Sequence, residues 1–291
     1  MNLANKERVA NQCVCCGSND LFKSPAILMP FVAARTFGWY PTEINDDWGL
    51  KTIQNGMAYS ICNSLCCKEC NHLFLDIRFT DAEMSRLYQD YRGQDYVDLR
   101  ESFEPGYVTR NQILNNGVSF LDQVEDFLTP YIVRPLTVLD WGGDTGVNTP
   151  FKEIAEKLDV YDISGKEVLN GMKGVSLEEA QKNKYKLIVC SQVLEHVSFP
   201  ADVINSIKKC MDGDSILYIE LPCEDLVMSS SGVHNLAIKK KHWHEHINFY
   251  TEESLQALMK FCGLKLENIQ VSKVLMNDST IFIYQVVAML P

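Results

Sequence analysis

Val138-Leu139-Asp140-Trp141-Gly142-Gly143-Asp144-Thr145-Gly146 is the run of residues on which the fold turns. Leu136 to Asp140 is a short apolar segment ending in a carboxylate, and a glycine turn follows it. Thr149-Pro150 then supplies an N-cap and a first-turn proline for a predicted helix with Phe151, Ile154, Ala155 and Leu158 on its buried stripe. Strand, glycine turn and helix form the opening unit of an α/β sheet. Working outward, apolar runs predict strands at Val160-Tyr161, Leu187 to Cys190, Ile216 to Glu220, Leu266 to Val271 and Ile281 to Val287. Helices are expected over Val118 to Leu128, 201–211 and 252–262. The last has Thr251 as cap, Glu252 and Glu253 in its first turn and Gly263 as terminator. This alternation implies an α/β, doubly wound, mostly parallel sheet.

A doubly wound sheet binds ligands beyond the carboxyl ends of its strands, so a cofactor is expected at Asp140 to Gly146. A dinucleotide fingerprint requires glycines at 142, 144 and 147, but Asp144 and Val147 stand at two of these positions. Two carboxylates in the loop also oppose a pyrophosphate. S-adenosylmethionine has no phosphate and carries a sulfonium and an ammonium, so bare backbone combined with carboxylates suits it. Asp162 closes the second strand, where a carboxylate can accept both ribose hydroxyls. Capping of turns at strand ends is the alternative role for Asp140 and Asp162.

Three runs resemble the motifs of class I S-adenosylmethionine-dependent methyltransferases. Val138 to Gly146 is similar to motif I, Leu187-Ile188-Val189-Cys190-Ser191-Gln192-Val193-Leu194-Glu195-His196-Val197 to the fourth-strand motif, and Met211-Asp212-Gly213-Asp214 to the fifth-strand turn. The resemblance covers residues 117–291 and implies a seven-stranded, Rossmann-like sheet. It places the methionine moiety at Gly142 and Gly146, in a loop that includes Asp140, Gly143 and Thr145. It puts the ribose on Asp162 and the adenine near Ser176 and Leu177, with Ser191 and Gln192 at the end of the fourth strand. Asp144 departs from the family's middle glycine, and its side chain must turn outward to leave the cofactor room.

Seven of the eleven cysteines lie in the first quarter of the chain, as a local system. An odd total without an export signal argues against a disulfide framework. Cys13-x-x-Cys16 and Cys67-x-x-Cys70 are two knuckles able to supply four thiolates to a structural zinc. Cys15, Cys62, Cys66 and His72 are alternative ligands, and reduced structural cysteines without metal are the plainer reading. The expected organisation is a cysteine-rich module over residues 1–80, a helical connector or lid over 81–116 and a catalytic domain over 117–291. A zinc knuckle ahead of such a domain resembles the sugar C-methyltransferases acting on nucleotide-linked keto-sugars, and related surface-polysaccharide enzymes.

His234, His242, His244 and His246 fall within 13 residues, around Trp243-His244-Glu245-His246. As one strand, this stretch would put His242, His244 and His246 on a single face able to bind metal. As a loop it would simply pack on the sheet. The acid–base reading makes His246 the residue that takes the acceptor's proton and Glu245 the carboxylate that orients it. The stretch resembles the Tyr-His-Glu-His segment of the sugar C-methyltransferases, where Glu and His flank the reacting carbon. Trp243 replaces the tyrosine, so the acceptor atom stays open among carbon, oxygen and nitrogen. His196 matches another active-site histidine of that group, and closing the turn after the fourth strand is its structural alternative.

The formal charge of -11 repels polyanions, so no nucleic-acid partner is expected. Lys239-Lys240-Lys241 reads as a solvated turn. No apolar run is long enough to span a bilayer, and Met1 to Gln12 lacks the apolar stretch of a secretory signal, so the cytoplasm is the expected compartment. The expected substrate is a small hydroxylated molecule, a nucleotide- or lipid-linked sugar of surface-glycan biosynthesis. The alternatives are a zinc-knuckle ribosomal RNA methyltransferase and a degenerate methyltransferase fold that binds a partner.

Overall fold

The computed structural model describes residues 7–49, 52–115, 117–230, 232–276 and 279–291. Strand β1 (Leu21–Leu28) leads into helix α1 (Pro30–Phe37), which starts at a first-turn proline and stops at Gly38 in the left-handed region. β2 (Thr42–Ile44) and β3 (Gly56–Ala58) pair as a ribbon. β4 (Ile61–Cys67) runs antiparallel to β1, from Leu21↔Cys67 to Ile27↔Ile61, and β5 (Leu73–Leu75) pairs with β4. Helices α2 (Asp81–Tyr88), α3 (Gln94–Phe103) and α4 (Tyr107–Asn115) follow, the first entered through a Thr80/Glu83 capping box.

The second half begins with α5 (Leu121–Leu128), β6 (Thr137–Trp141), β7 (Lys157–Tyr161), β8 (Lys173–Gly174) and α6 (Leu177–Gln181). It continues through β9 (Leu187–Ser191), α7 (Pro200–Ile207), β10 (Ile216–Pro222), α8 (Asp225–Ser229), α9 (Val233–Lys239), β11 (His242–Trp243) and β12 (Asn248–Phe249). It closes with α10 (Glu252–Phe261) and the hairpin of β13 (Lys265–Met276) and β14 (Ser279–Met289).

The seven-stranded sheet has the order β8-β7-β6-β9-β10-β14-β13. Its strands from β8 to β10 are parallel, and β14 runs antiparallel to β10. This is the doubly wound, Rossmann-like, methyltransferase-like sheet, and its strand order reverses between β6 and β9, the kind of switch point outside which such sheets bind ligands. Period-two alternation sorts side chains to the two faces. Leu139, Trp141, Ile188 and Cys190 pack with α7 and α10, while Val138, Leu187 and Val189 pack with Val124 and Leu128 of α5. Full burial of Leu255 and Leu258 on α10 contributes about 2 kcal/mol each.

β11 and β12 leave this sheet and complete the N-terminal one, giving the order β11-β1-β4-β5-β12. Leu28 pairs with Trp243, which is fully buried and donates from Nε1 to Ser64 Oγ at 2.9 Å. The N-terminal strands and the histidine-rich segment therefore share one core.

Two expectations are corrected. The helix predicted after Thr149-Pro150 is a single turn, because Phe151 takes φ +58 and its carbonyl accepts from both Ile154 and Ala155 before β7 begins at Lys157. A side chain forced into the left-handed region ends a helix instead of propagating it. Within the lysine run, Lys240 is buried with Nζ 3.9 Å from the Phe249 ring centroid and 4.8 Å from that of Trp243; only its neighbours are exposed. Among the described residues, no helix is long and apolar enough to cross a membrane.

Candidate active site and cysteine centre

The turn after β6 is built for backbone access. Gly142 has φ +80, and a Cβ there would lie 2.5 Å from Val193 Cγ2, while a Cβ at Gly146, at φ +83, would collide with the Met172 sulfur. Asp140 lies beneath the loop, buried, with Oδ2 accepting from Thr149 Oγ1 at 2.5 Å. Burial pushes its carboxyl up to about 6, against the lowering effect of Thr149.

Asp144 adopts φ +52, a left-handed conformation that Asp tolerates better than most side chains. Its carboxylate pairs with Lys166 Nζ at 2.9 Å, and Lys166 in turn lies over the Tyr91 ring. The Asp144 N–H donates to Asp162 Oδ2 at 3.0 Å and the Ser164 N–H to Asp162 Oδ1 at 2.7 Å. Each Asp162 oxygen thus keeps a lone pair for a diol. Thr145, whose carbonyl accepts from Leu169, completes the loop.

Ser176 caps α6 through a capping box with Glu179, which leaves Leu177 exposed at the next position. Ser191 and Gln192 both hydrogen bond to Glu220 Oε1, at 2.9 and 3.2 Å. A cavity of about 910 Å³ opens beside the loop, between α2 and the end of β7, lined by Tyr88, Tyr91, Arg92, Tyr161, Ser164 and Lys166 among others.

The turn that begins at Val193, against Gly142, ends at His196, whose N–H bonds the Val193 carbonyl at 3.0 Å. The His196 and His246 rings meet edge-on with centroids 4.7 Å apart. His196 Nδ1 lies 3.1 Å from the Glu245 carbonyl oxygen and 2.8 Å from the Tyr88 hydroxyl. His246 Nδ1 lies 2.9 Å from Glu224 Oε1, so Glu224 is the carboxylate on that ring. Glu245 instead accepts from Arg100 Nη1 at 2.9 Å, and the Arg100 guanidinium stacks over Tyr107 and Phe31. His242 and His244 pair with each other, away from His246, because only His242–Trp243 is strand.

Burial draws the His196 imidazole well below its ordinary range. Burial also pulls on His246, but the Glu224 hydrogen bond and the surrounding carboxylates outweigh it and hold that imidazole above its ordinary range. Glu195 is fully buried with neither carboxylate oxygen hydrogen-bonded, and burial pushes it up to about 7. Glu195, Glu224, Tyr88 and Arg100 escaped the sequence reading. Only Glu195 carried a signal there, as the neighbour of His196.

Four sulfurs converge in the N-terminal module, packed on the same core as Trp141, Leu194 and Tyr250. Cys13 and Cys70 Sγ lie 3.6 Å apart, as do those of Cys16 and Cys67, and all four fall within 4.8 Å of one another. These separations are too long for disulfides and match the spacing of about 3.8 Å for four thiolates around a tetrahedral ion. The two knuckles are conformational twins: the Gly17 N–H bonds the Cys13 carbonyl, the Asn71 N–H bonds the Cys67 carbonyl, and both closing residues have positive φ. The centre can hold a metal ion. Cys15, Cys62 and Cys66 stay outside it, and His72 stacks between Phe74 and Tyr250.

Residues 116–269, more than half of the chain, match the family model of the methyltransferase domain, and the chain belongs to that family. Its fold and family are those of an S-adenosylmethionine-dependent methyltransferase. Among solved structures, it is similar to 1,6-didemethyltoxoflavin-N1-methyltransferase of Burkholderia thailandensis, at 16% identity and TM-score 0.46, over 66% of this chain and 88% of that one. The glycopeptide N-methyltransferase MtfA is similar at 11% and 0.44, over 59% and 94%. Magnesium protoporphyrin IX methyltransferase of Synechocystis PCC 6803 is similar at 15% and 0.39, over 58% and 81%. No curated protein sequence matches.

Proposed function

We propose that this methyltransferase acts on a small hydroxylated acceptor, a nucleotide- or lipid-linked sugar of surface-glycan biosynthesis, with His246 as general base. The observation that carries the reading is the contact of Gly142 with Val193, which joins the glycine loop to the turn bearing His196 and sets the paired imidazoles beside it. Bound S-adenosylmethionine supplies an electrophilic methyl group on its sulfonium. Backbone at Gly142, Gly143, Thr145 and Gly146 leaves room for the donor, Asp162 accepts its ribose hydroxyls, and Ser176, Leu177, Ser191 and Gln192 border the adenine end. Asp140 holds the loop from below.

Neutral His246 takes the acceptor's proton, and the Glu224 carboxylate at Nδ1 stabilises the imidazolium that forms. His196 fixes the opposite side of the acceptor, and Arg100 anchors Glu245 at the rim. The three-part organisation over 1–80, 81–116 and 117–291 serves this arrangement, because Tyr88 and Arg100 of the middle part reach His196 and Glu245. Zinc in the Cys13, Cys16, Cys67 and Cys70 centre holds the first part in place, and its four thiolates leave no open coordination position for chemistry.

Transfer from labelled S-adenosylmethionine to a panel of nucleotide-linked sugars tests the acceptor class. Labelled product from keto- or hydroxy-sugar nucleotides is expected, and turnover confined to non-carbohydrate acceptors overturns the assignment. Metal analysis tests zinc: one equivalent in the wild type and none in Cys67→Ser is expected, and its absence from wild type with all cysteines freely titratable overturns it.

A further inference from the structure

The carboxylate of Glu195 stands out in the site because nothing in the transfer reading uses it. It is fully buried, yet neither oxygen has a hydrogen-bond partner, whereas buried polar groups are paired in nearly all cases. Its Oε1 lies 3.6 Å from His196 Nε2, and one ligand atom each from Glu195, His196 and His246 falls within 4.8 Å of the others. The far nitrogen of each ring already has a partner. His196 Nδ1 faces the Glu245 carbonyl, which can only accept, and His246 Nδ1 faces the Glu224 carboxylate. With the His196 Nδ1 proton on the Glu245 carbonyl and the His246 Nδ1 proton on the Glu224 carboxylate, both Nε2 atoms present lone pairs; the Tyr88 hydroxyl, 2.8 Å from His196 Nδ1, favours the opposite tautomer of that ring, and an ion at Nε2 would select the first. Metal-ligating histidines show this pattern, with the non-ligating N–H bound to a carboxylate or a backbone carbonyl.

We propose that Glu195, His196 and His246 form a site for a divalent transition-metal ion, held by one carboxylate and two imidazole nitrogens. That donor set suits zinc, cobalt, nickel or ferrous iron better than magnesium or calcium, which favour oxygen ligands alone. Ligands about 2.1 Å from such an ion stand about 3.4 Å apart. Glu195 and His196 are near that spacing, and the His246 ligand atom lies within 4.8 Å of both, so a bound ion would draw that ring inward. The three groups leave coordination positions open toward the cleft. The ion would take the same His246 lone pair that accepts the substrate proton, so metal occupancy and base catalysis exclude each other; this consequence, unlike the site itself, rests on the transfer reading.

The test is a titration of Co2+ into the full-length protein after one equivalent of Zn2+ has filled the cysteine centre. Visible d–d absorption saturating at one Co2+ per chain, without a thiolate-to-cobalt band, is the expected result. Glu195→Gln, which keeps the side chain's shape, is expected to weaken binding by at least about tenfold. His246→Asn, at a half-exposed position, gives the same reading if the buried substitution disturbs folding. No d–d band at millimolar Co2+, a band accompanied by thiolate charge transfer, or wild-type affinity in both variants overturns the site. The titration uses neither methyl donor nor acceptor, so its failure and a failure of the transfer assay are distinguishable.

Discussion

The glycine loop is assembled from one run, Asp140 to Gly146, and closed by backbone N–H groups on Asp162, whereas the facing wall gathers Tyr88, Arg100, His196, Glu224, Glu245 and His246 from distant parts of the chain. The first wall is almost all main chain, and its conformation follows from which residues tolerate positive φ. The second is all side chain, and its geometry depends on β11 and β12 joining the N-terminal sheet. In the proposed assignment, local geometry serves the donor and long-range assembly serves the acceptor.

Substitutions on the two walls should separate cleanly. His246→Ala is expected to lower kcat by about 10²- to 10⁴-fold with donor affinity unchanged; an equal loss in donor binding, measured by calorimetry, would break the division. Asp162→Asn is expected to do the reverse, weakening the donor about 10- to 100-fold, in line with the loss of charged hydrogen bonds, while kcat at saturation holds. Steady-state kinetics at varied donor concentration reads this directly.

Smaller effects sharpen the acceptor wall. Arg100→Gln releases Glu245 and is expected to lower kcat about tenfold, the scale of losing one positioned group, without moving donor affinity. A pH profile then examines Glu224. His246 must be neutral to accept a proton, so turnover should climb as pH rises through its raised pKa. Glu224→Gln removes the negative partner that favours the imidazolium, so the acidic limb should move to lower pH. An unmoved limb would mean that another group titrates there.

The same division explains what could be read in advance. The strand series, the glycine loop, Asp162 and the Thr251-capped helix are written in short windows, and the sheet forms where those windows place it. The cysteine pairs are equally local, each knuckle being closed by the residue that follows it. Phe151 defeated the predicted helix because nothing in Thr149-Pro150 reveals that the chain must turn back within a few residues to start β7. Lys240 looked like a solvated charge because its aromatic shelf, Trp243 and Phe249, depends on strand additions to a remote sheet. Glu224 and Arg100 were invisible for the same reason: each acquires its role only through a partner at least 20 residues away.

The central claim is that the loop from Asp140 to Gly146, with Asp162, binds the methyl donor despite Asp144. Calorimetric titration of S-adenosylhomocysteine into wild type, Asp144→Gly and Asp162→Asn is its most direct test. The ion pair of Asp144 with Lys166, which neutralises its charge, predicts one site per chain in wild type, a near-equal affinity in Asp144→Gly and a much weaker one in Asp162→Asn. No binding by wild type, with binding restored in Asp144→Gly, would contradict it.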